Sequence, residues 1–147
     1  MEIPALFKVR WFWYCTFCVL CWGPYAIVSK LGSMEMPAPA MQFLFTLGGL
    51  PVAIVLLGSR RFRLEKNVKG ILYGIMIGLT SGVGGLGLFA AFGSGGNTAI
   101  ITAVTALYPM VTVILALLFL GERLTKRQAV GLGFAAVAIL IFSVTQP

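Results

Sequence analysis

Cys15, Cys18 and Cys21 recur every third residue, a spacing that spreads three sulfurs over a broad face of a helix and raises the chemistry of soft metal ions. The set has no companion ligand, because the sequence contains 0 His and its 4 acidic residues are Glu2, Glu35, Glu65 and Glu122, all at chain ends or in connections. Thiols also serve as small apolar side chains, so neither a metal site nor a disulfide framework is expected. General acid–base work needs carboxylates or imidazoles placed together, and nucleotide hydrolysis needs a G-x-x-x-x-G-K-[ST] loop. The sequence offers neither, and no Ser or Cys stands in a catalytic constellation. No catalytic residue and no cofactor is expected. What remains can bind but not react: Trp22, Tyr25, Gln42, Thr46, Tyr73 and Tyr108 supply aromatic walls and a few hydrogen-bonding groups suited to a modest organic solute.

The elements that must position these groups are apolar. The 147 residues are 59% hydrophobic and only 10% charged, whereas about a quarter of a soluble domain is charged. A chain of this length has too little interior to hide so much apolar side chain from water. Five stretches run without a charge: 11–29, 40–58, 70–93, 98–121 and 128–145. Each has the length of a helical crossing, which takes about 20 residues, and none shows the alternation of a barrel strand. The expected fold is an all-α membrane protein with five transmembrane helices forming one domain over residues 1–147. The first span lacks an A-x-A-like cleavage site followed by a soluble chain and is expected to be retained. The connections 30–39, 59–69, 94–97 and 122–127 are too short for a soluble domain.

The net charge of +7 has a topological explanation. Lys8, Arg10, Arg60, Arg61, Arg63, Lys66, Lys69, Arg123, Lys126 and Arg127 fall on one side of a five-span chain, and Lys30 alone on the other. The positive-inside rule puts the N-terminus in the cytoplasm and the C-terminus across the membrane. The 60–69 cluster then faces lipid headgroups, and no nucleic-acid partner is expected. With no carboxylate inside any span, a proton-coupled cation exporter loses its simplest mechanism, which favours a neutral or zwitterionic solute. Glu122, beside Arg123, is expected to act as a cap or local ion pair, with a gating lock as the alternative.

Helix ends and breaks can be placed. Thr125 and Gln128 have capping-box spacing, and Asn97 precedes the fourth span. Gly93, Gly95 and Gly96 can close the third helix, and Pro37 and Pro39 punctuate the first connection. Gly70, Gly74, Gly78 and Gly82 make a smooth ridge where another helix can approach closely, and a bend or unwound turn is expected near Thr80, Ser81 and Gly85. Pro24, Pro51 and Pro109 each remove a backbone donor within a span. Thr98, Thr102, Thr105, Pro109, Thr112 and Ala116 share one face of the fourth helix, with Ala103, Leu107, Met110, Ile114 and Leu118 opposite. That polar stripe can line a pathway, or its hydroxyls can bond back to their own helix.

Trp22-Gly23 with Ser29-Lys30, and above all Ala106-Leu107-Tyr108-Pro109 running through Leu120-Gly121-Glu122-Arg123-Leu124-Thr125 to Gly131, resemble the EamA-type repeat of the drug/metabolite transporter superfamily. The resemblance extends over almost the whole chain and implies a solute carrier. It also implies one repeat of a ten-helix, inverted-repeat transporter, so a homo-oligomer or an inverted partner half is expected to complete the pathway. By the resemblance, Trp22, Gly23 and Lys30 match the first-helix signature, and Pro109, Gly121, Glu122 and Gly131 match the hairpin. Family position and side-chain chemistry together suggest Trp22, Tyr25, Gln42, Thr102, Thr105 and Tyr108 as the pathway. Gly74, Gly78, Gly82, Pro109, Gly121, Glu122 and Gly131 are assigned structural or gating roles. The expected function is alternating-access transport of a small organic metabolite across the lipid bilayer. The alternative is a non-transporting membrane interaction or assembly protein.

Topology is directly measurable. With the three native cysteines replaced by Ala, an impermeant thiol reagent applied outside intact cells should label Gly96→Cys and spare Arg123→Cys. The reverse pattern would invert the orientation.

Overall fold

The computed structural model describes residues 9–61 and 67–144, apart from the Ser143 side chain. Lys8, Arg63, Lys66, Glu2, Glu65 and Thr145, used above, lie outside the described residues. Helices account for nearly all of the rest: α1 (Arg10–Glu35), α2 (Ala38–Ser59), α3 (Val68–Gly93), α4 (Thr98–Thr105), α5 (Tyr108–Phe119) and α6 (Lys126–Val144). By length and composition Arg10–Glu35, Ala38–Ser59, Val68–Gly93 and Thr98–Phe119 can each cross a membrane. α6 adds 19 residues with no charge after Arg127.

The chain divides after Gly95 into two compact units. In the first, α3 packs against both α1 and α2. The helices α1 and α2 are joined through Met36 and Pro37 alone, so they run in opposite directions, and the C-terminal ends of α1 and α3 lie together. In the second unit, α4 packs against α6. The first connection is shorter than the sequence suggested, because α1 continues through Lys30 and Gly32 to Glu35. Nothing in that segment lacks an N–H, and the helix stops only where Pro37 is approached. Pro37 is the N-cap of α2, and Pro39 occupies its first turn, where a missing N–H costs no intrahelical bond.

The three internal prolines behave differently. α1 runs through Pro24 and α2 through Pro51 without interruption. Only Pro109 coincides with a break, at Ala106 and Leu107 between α4 and α5. There the N–H of Leu107 donates to Val104 O at 3.1 Å and that of Met110 to Leu107 O at 3.0 Å. These tightened three-residue bonds replace four-residue ones. Pro109 has no N–H to return to the Thr105 carbonyl. The bend expected near Thr80, Ser81 and Gly85 takes no unwound form: α3 is helical throughout. The Thr80 hydroxyl bonds back to Met76 O at 2.9 Å and Ile77 O at 3.1 Å, and an unwound turn would leave peptide groups bare in hydrocarbon.

The caps form as the spacing suggested, with one addition. Asn97 Oδ1 accepts from Ala99 N at 2.9 Å. At the start of α6, Gln128 N donates to Thr125 Oγ1 at 3.4 Å, and Gln128 Oε1 accepts from Thr125 N at 2.9 Å, a reciprocal capping box. Asn67 caps α3 in the same way, accepting from Gly70 N at 3.2 Å. Two glycines are required by backbone shape: Gly95 (φ +88°) turns the chain after α3, and Gly121 (φ +65°) turns it after α5. With Gly121 in that conformation, Glu122 N–H returns to Ala116 O at 3.4 Å.

Loss of a cap typically costs about 1 kcal/mol. Thr125→Ala should therefore speed amide hydrogen exchange over the first turn of α6 about fivefold and leave α1 to α3 unchanged. Equal exchange in both forms would show that the cap is dispensable.

Candidate functional site

In the first unit a row of aromatic rings takes one member from each helix. Tyr25 of α1 meets Phe45 of α2 edge-on at 5.8 Å, and Phe45 meets Phe89 of α3 at 6.1 Å. Both separations fall in the favourable edge-to-face range. Phe89 and Phe92, three residues apart on one face of α3, are each 1% exposed and form the apolar core of the unit. Opposite them, α1 presents Ser29 and Ser33, four residues apart and buried. Between these serines Lys30 is half-buried, and its Nζ donates to the Phe92 carbonyl oxygen at 2.8 Å. That carbonyl lies in the last turn of α3, the negative end of the helix dipole, where a cation is favoured.

Two buried side-chain atoms have no hydrogen-bond partner among the described residues: Ser33 Oγ and Gln42 Oε1. Gln42 comes from α2 and presses on α3 at Gly85, where a Cβ would collide with its amide oxygen. A similar approach joins α1 and α2, where Met41 fills the space above Gly32. Near the paired ends of α1 and α3, a Cβ on Gly93 would stand 3.4 Å from the Ser33 carbonyl oxygen. The close approaches of this unit therefore use Gly32, Gly85 and Gly93. The ridge picked out by its period, Gly74, Gly78 and Gly82, has nothing within 4 Å of its would-be Cβ positions. Among the described residues nothing approaches Gly74, Gly78 or Gly82 that closely, although Gly82 is half-buried.

The proposed pathway residues thus separate. Tyr25 and Gln42 share the interior of the first unit. Trp22, 61% exposed, points away from that interior. Thr102, Thr105 and Tyr108 flank the α4–α5 break in the second unit and are exposed. The threonine hydroxyls of this stripe turn inward to the backbone: Thr102 Oγ1 donates to Thr98 O at 2.7 Å, Thr105 Oγ1 to Ile101 O at 2.9 Å and Thr112 Oγ1 to Tyr108 O at 3.2 Å. Each hydroxyl oxygen keeps lone pairs to offer. On the opposite face Ala103, Leu107 and Met110 are half-buried. Ile114 and Leu118 on that face are exposed, and Thr98 and Ala116 on the threonine face are half-buried, so the contrast is confined to the middle of the span, where Thr102, Thr105 and Thr112 are open.

Of the remaining residues given structural or gating roles, Pro109 opens α5, Gly121 provides the left-handed turn, and Gly131 has open space around it. Glu122 is exposed and contributes its backbone N–H to the turn. Cys15, Cys18 and Cys21 are free and exposed on α1. Sequence reasoning missed Ser33, Phe45, Phe89 and Phe92. The available signal was periodic: Tyr25, Ser29 and Ser33 recur every four residues on α1, and Phe89 and Phe92 stand out as the bulky members of a glycine-rich α3.

A model of the EamA-like transporter family matches residues 9–144. No curated protein and no solved structure matches the chain.

A buried acceptor without a donor costs about 1–3 kcal/mol. Gln42→Leu should therefore raise the thermal stability of the detergent-purified protein, while Tyr25→Ala, which removes one ring from the aromatic row, should lower it. A lower melting temperature for Gln42→Leu would mean that its amide oxygen is satisfied in solution.

Proposed function

From the premise that the chain belongs to the EamA-like transporter family, we propose that it moves a small organic metabolite across the bilayer by alternating access, as an oligomer or with an inverted partner half. Members of the family are transporters and not enzymes, and the chain is a multi-pass membrane protein of that kind.

The observation that carries the mechanistic reading is the interruption of the fourth pass. The stretch Thr98–Phe119 breaks at Ala106 and Leu107, close to its middle, and Pro109 deprives the Thr105 carbonyl of its intrahelical donor. An unpaired peptide group facing hydrocarbon costs several kcal/mol, so such breaks are tolerated where protein or a wet cavity meets them. Discontinuous helices at mid-depth are where secondary transporters build their sites. Thr102, Thr105 and Tyr108 surround this break, and their open face is the proposed lining. Trp22, Tyr25 and Gln42 are the proposed lining from the first unit.

The oligomer is supported by the ridge that this chain leaves open. Small residues allow helix backbones to meet closely in lipid, and among the described residues nothing lies within 4 Å of the would-be Cβ atoms of Gly74, Gly78 and Gly82. In this reading they receive a second chain. Gly121 and Gly131 shape the hairpin, while Pro109 and Glu122 mark its two ends. The proposed orientation has the N-terminus in the cytoplasm and the C-terminus on the other side, following the basic residues. An inverted second copy would carry ten basic residues to the disfavoured side, so the proposed partner is either a parallel copy or a distinct inverted half.

The test is uptake and efflux of a broad metabolite panel in proteoliposomes. Saturable flux is expected for at least one solute, reduced tenfold or more by Pro109→Ala, which restores the missing donor and closes the break. Tyr108→Phe should weaken it less. Absence of flux for every solute, with the oligomer intact by cross-linking, would favour an assembly protein instead.

A further inference from the structure

Ser33 is 7% exposed, and its hydroxyl oxygen has no hydrogen-bond partner among the described residues. A helical hydroxyl has a ready acceptor in the carbonyl four residues back. Thr16, Thr46 and Thr102 all take it, whereas Ser33 does not. One turn earlier, the Lys30 ammonium donates a hydrogen bond to the neutral Phe92 carbonyl. A lysine near the end of a membrane span ordinarily extends toward water and headgroups. This one is turned into the seam between α1 and α3 instead, with buried Ser29 and Ser33 to either side.

This pairing holds the ends of two helices together through a bond that can be exchanged. A carboxylate carries a full negative charge and accepts only, so it attracts an ammonium more strongly than a neutral carbonyl does. It has a second oxygen for the unused hydroxyl. Residues three apart on a helix are neighbours, about 5–6 Å between Cβ atoms, so Lys30 and Ser33 lie on adjoining parts of the same helix surface.

We propose that Lys30 is a latch on α3 and that the carboxylate of the carried solute releases it, taking Nζ from the Phe92 carbonyl while accepting the Ser33 hydroxyl proton in a hydrogen bond. The inference rests on the transport reading and narrows its solute to organic carboxylates, zwitterions included. Opening at this seam breaks the Lys30 bond and the close Ser33–Gly93 approach. Solute arrival and helix separation are thereby one event.

The test uses the full chain purified in detergent, with matched pairs of probes: benzoate and benzamide, succinate and succinamide, phenylalanine and its amide. Spin labels on Met34→Cys and Ala90→Cys, with the native cysteines replaced by Ala, report the α1–α3 separation. At least one carboxylate should raise the melting temperature and lengthen the label distance, and its amide should do neither. Lys30→Met should weaken that response tenfold or more, Ser33→Ala several-fold, and Lys30→Arg should retain most of it. Equal responses to acid and amide, no response to any acid, or an unchanged response in Lys30→Met would each overturn the latch. A response to phosphatidylglycerol but to no soluble acid would assign the site to lipid and overturn it as well. Flux measured in parallel separates the two readings: wild-type flux in Lys30→Met overturns the latch alone, whereas an intact carboxylate response without flux supports the latch and counts against transport.

Discussion

A peptide group in hydrocarbon has no water to fall back on, and this constraint orders the whole chain. It explains why a sequence with 18 glycines and 7 prolines is still almost continuously helical. Each glycine-rich run that would unravel in water stays wound, because unwinding exposes N–H and C=O groups at a cost of several kcal/mol each. The same constraint fixes where helices end: Asn67, Asn97 and Thr125 with Gln128 supply side-chain partners to amides that the first turn leaves over. It also makes exceptions informative. The donors removed by Pro24, Pro51 and Pro109, the amide oxygen of Gln42 and the hydroxyl of Ser33 are such exceptions among the described residues.

Those exceptions fall in both compact units, and they differ in kind. In the second unit the freed carbonyl sits on an exposed span beside three threonines whose hydroxyls are already committed to the backbone as donors, leaving acceptors outward. In the first unit the orphaned atoms are buried, and Gln42 Oε1 lies against Gly85 of the neighbouring helix. An open acceptor-lined face suits a solute in passage. An enclosed acceptor at a close helix approach is a cost that the packing of this unit must outweigh.

Much of this was legible in the residues, for physical reasons that also mark the limit. Charge-free runs of membrane length, the Thr125–Gln128 box, the Asn97 cap and the special status of Pro109 are local or compositional, and a single chain displays them. Helix lengths were less legible: α1 overruns Lys30 to reach Glu35 because a charged residue near a span's end does not stop a helix, whereas Pro37 does. The Gly70–Gly82 period was conspicuous, yet among the described residues no other helix comes within 4 Å of its would-be Cβ atoms, while Gly32, Gly85 and Gly93, with no shared period, carry the close contacts. Periodicity reports that a face is smooth, and only the neighbouring helix decides whether that face is used. The Ser29–Ser33 and Phe89–Phe92 pairs were hidden for the converse reason. Their burial comes from the packing of α1 against α3, a relation that spacing within either helix does not encode.

The glycine ridge and the charge asymmetry constrain any second half together. The ridge on α3 begins next to Lys69 and the basic 60–69 connection, so a close partner there must bring its own helix past that charge. A parallel copy would juxtapose two such basic connections. That repulsion is softened by anionic headgroups and by screening over about 8 Å at physiological ionic strength. An inverted copy avoids the juxtaposition but moves its basic connections to the wrong side of the membrane, a cost incurred at insertion that no later contact removes. A dedicated partner with opposite charge bias escapes both penalties. Under the proposed orientation, these penalties leave a parallel oligomer whose basic loops are held apart by lipid or a heteromeric inverted pair, and weigh against a symmetric inverted homodimer.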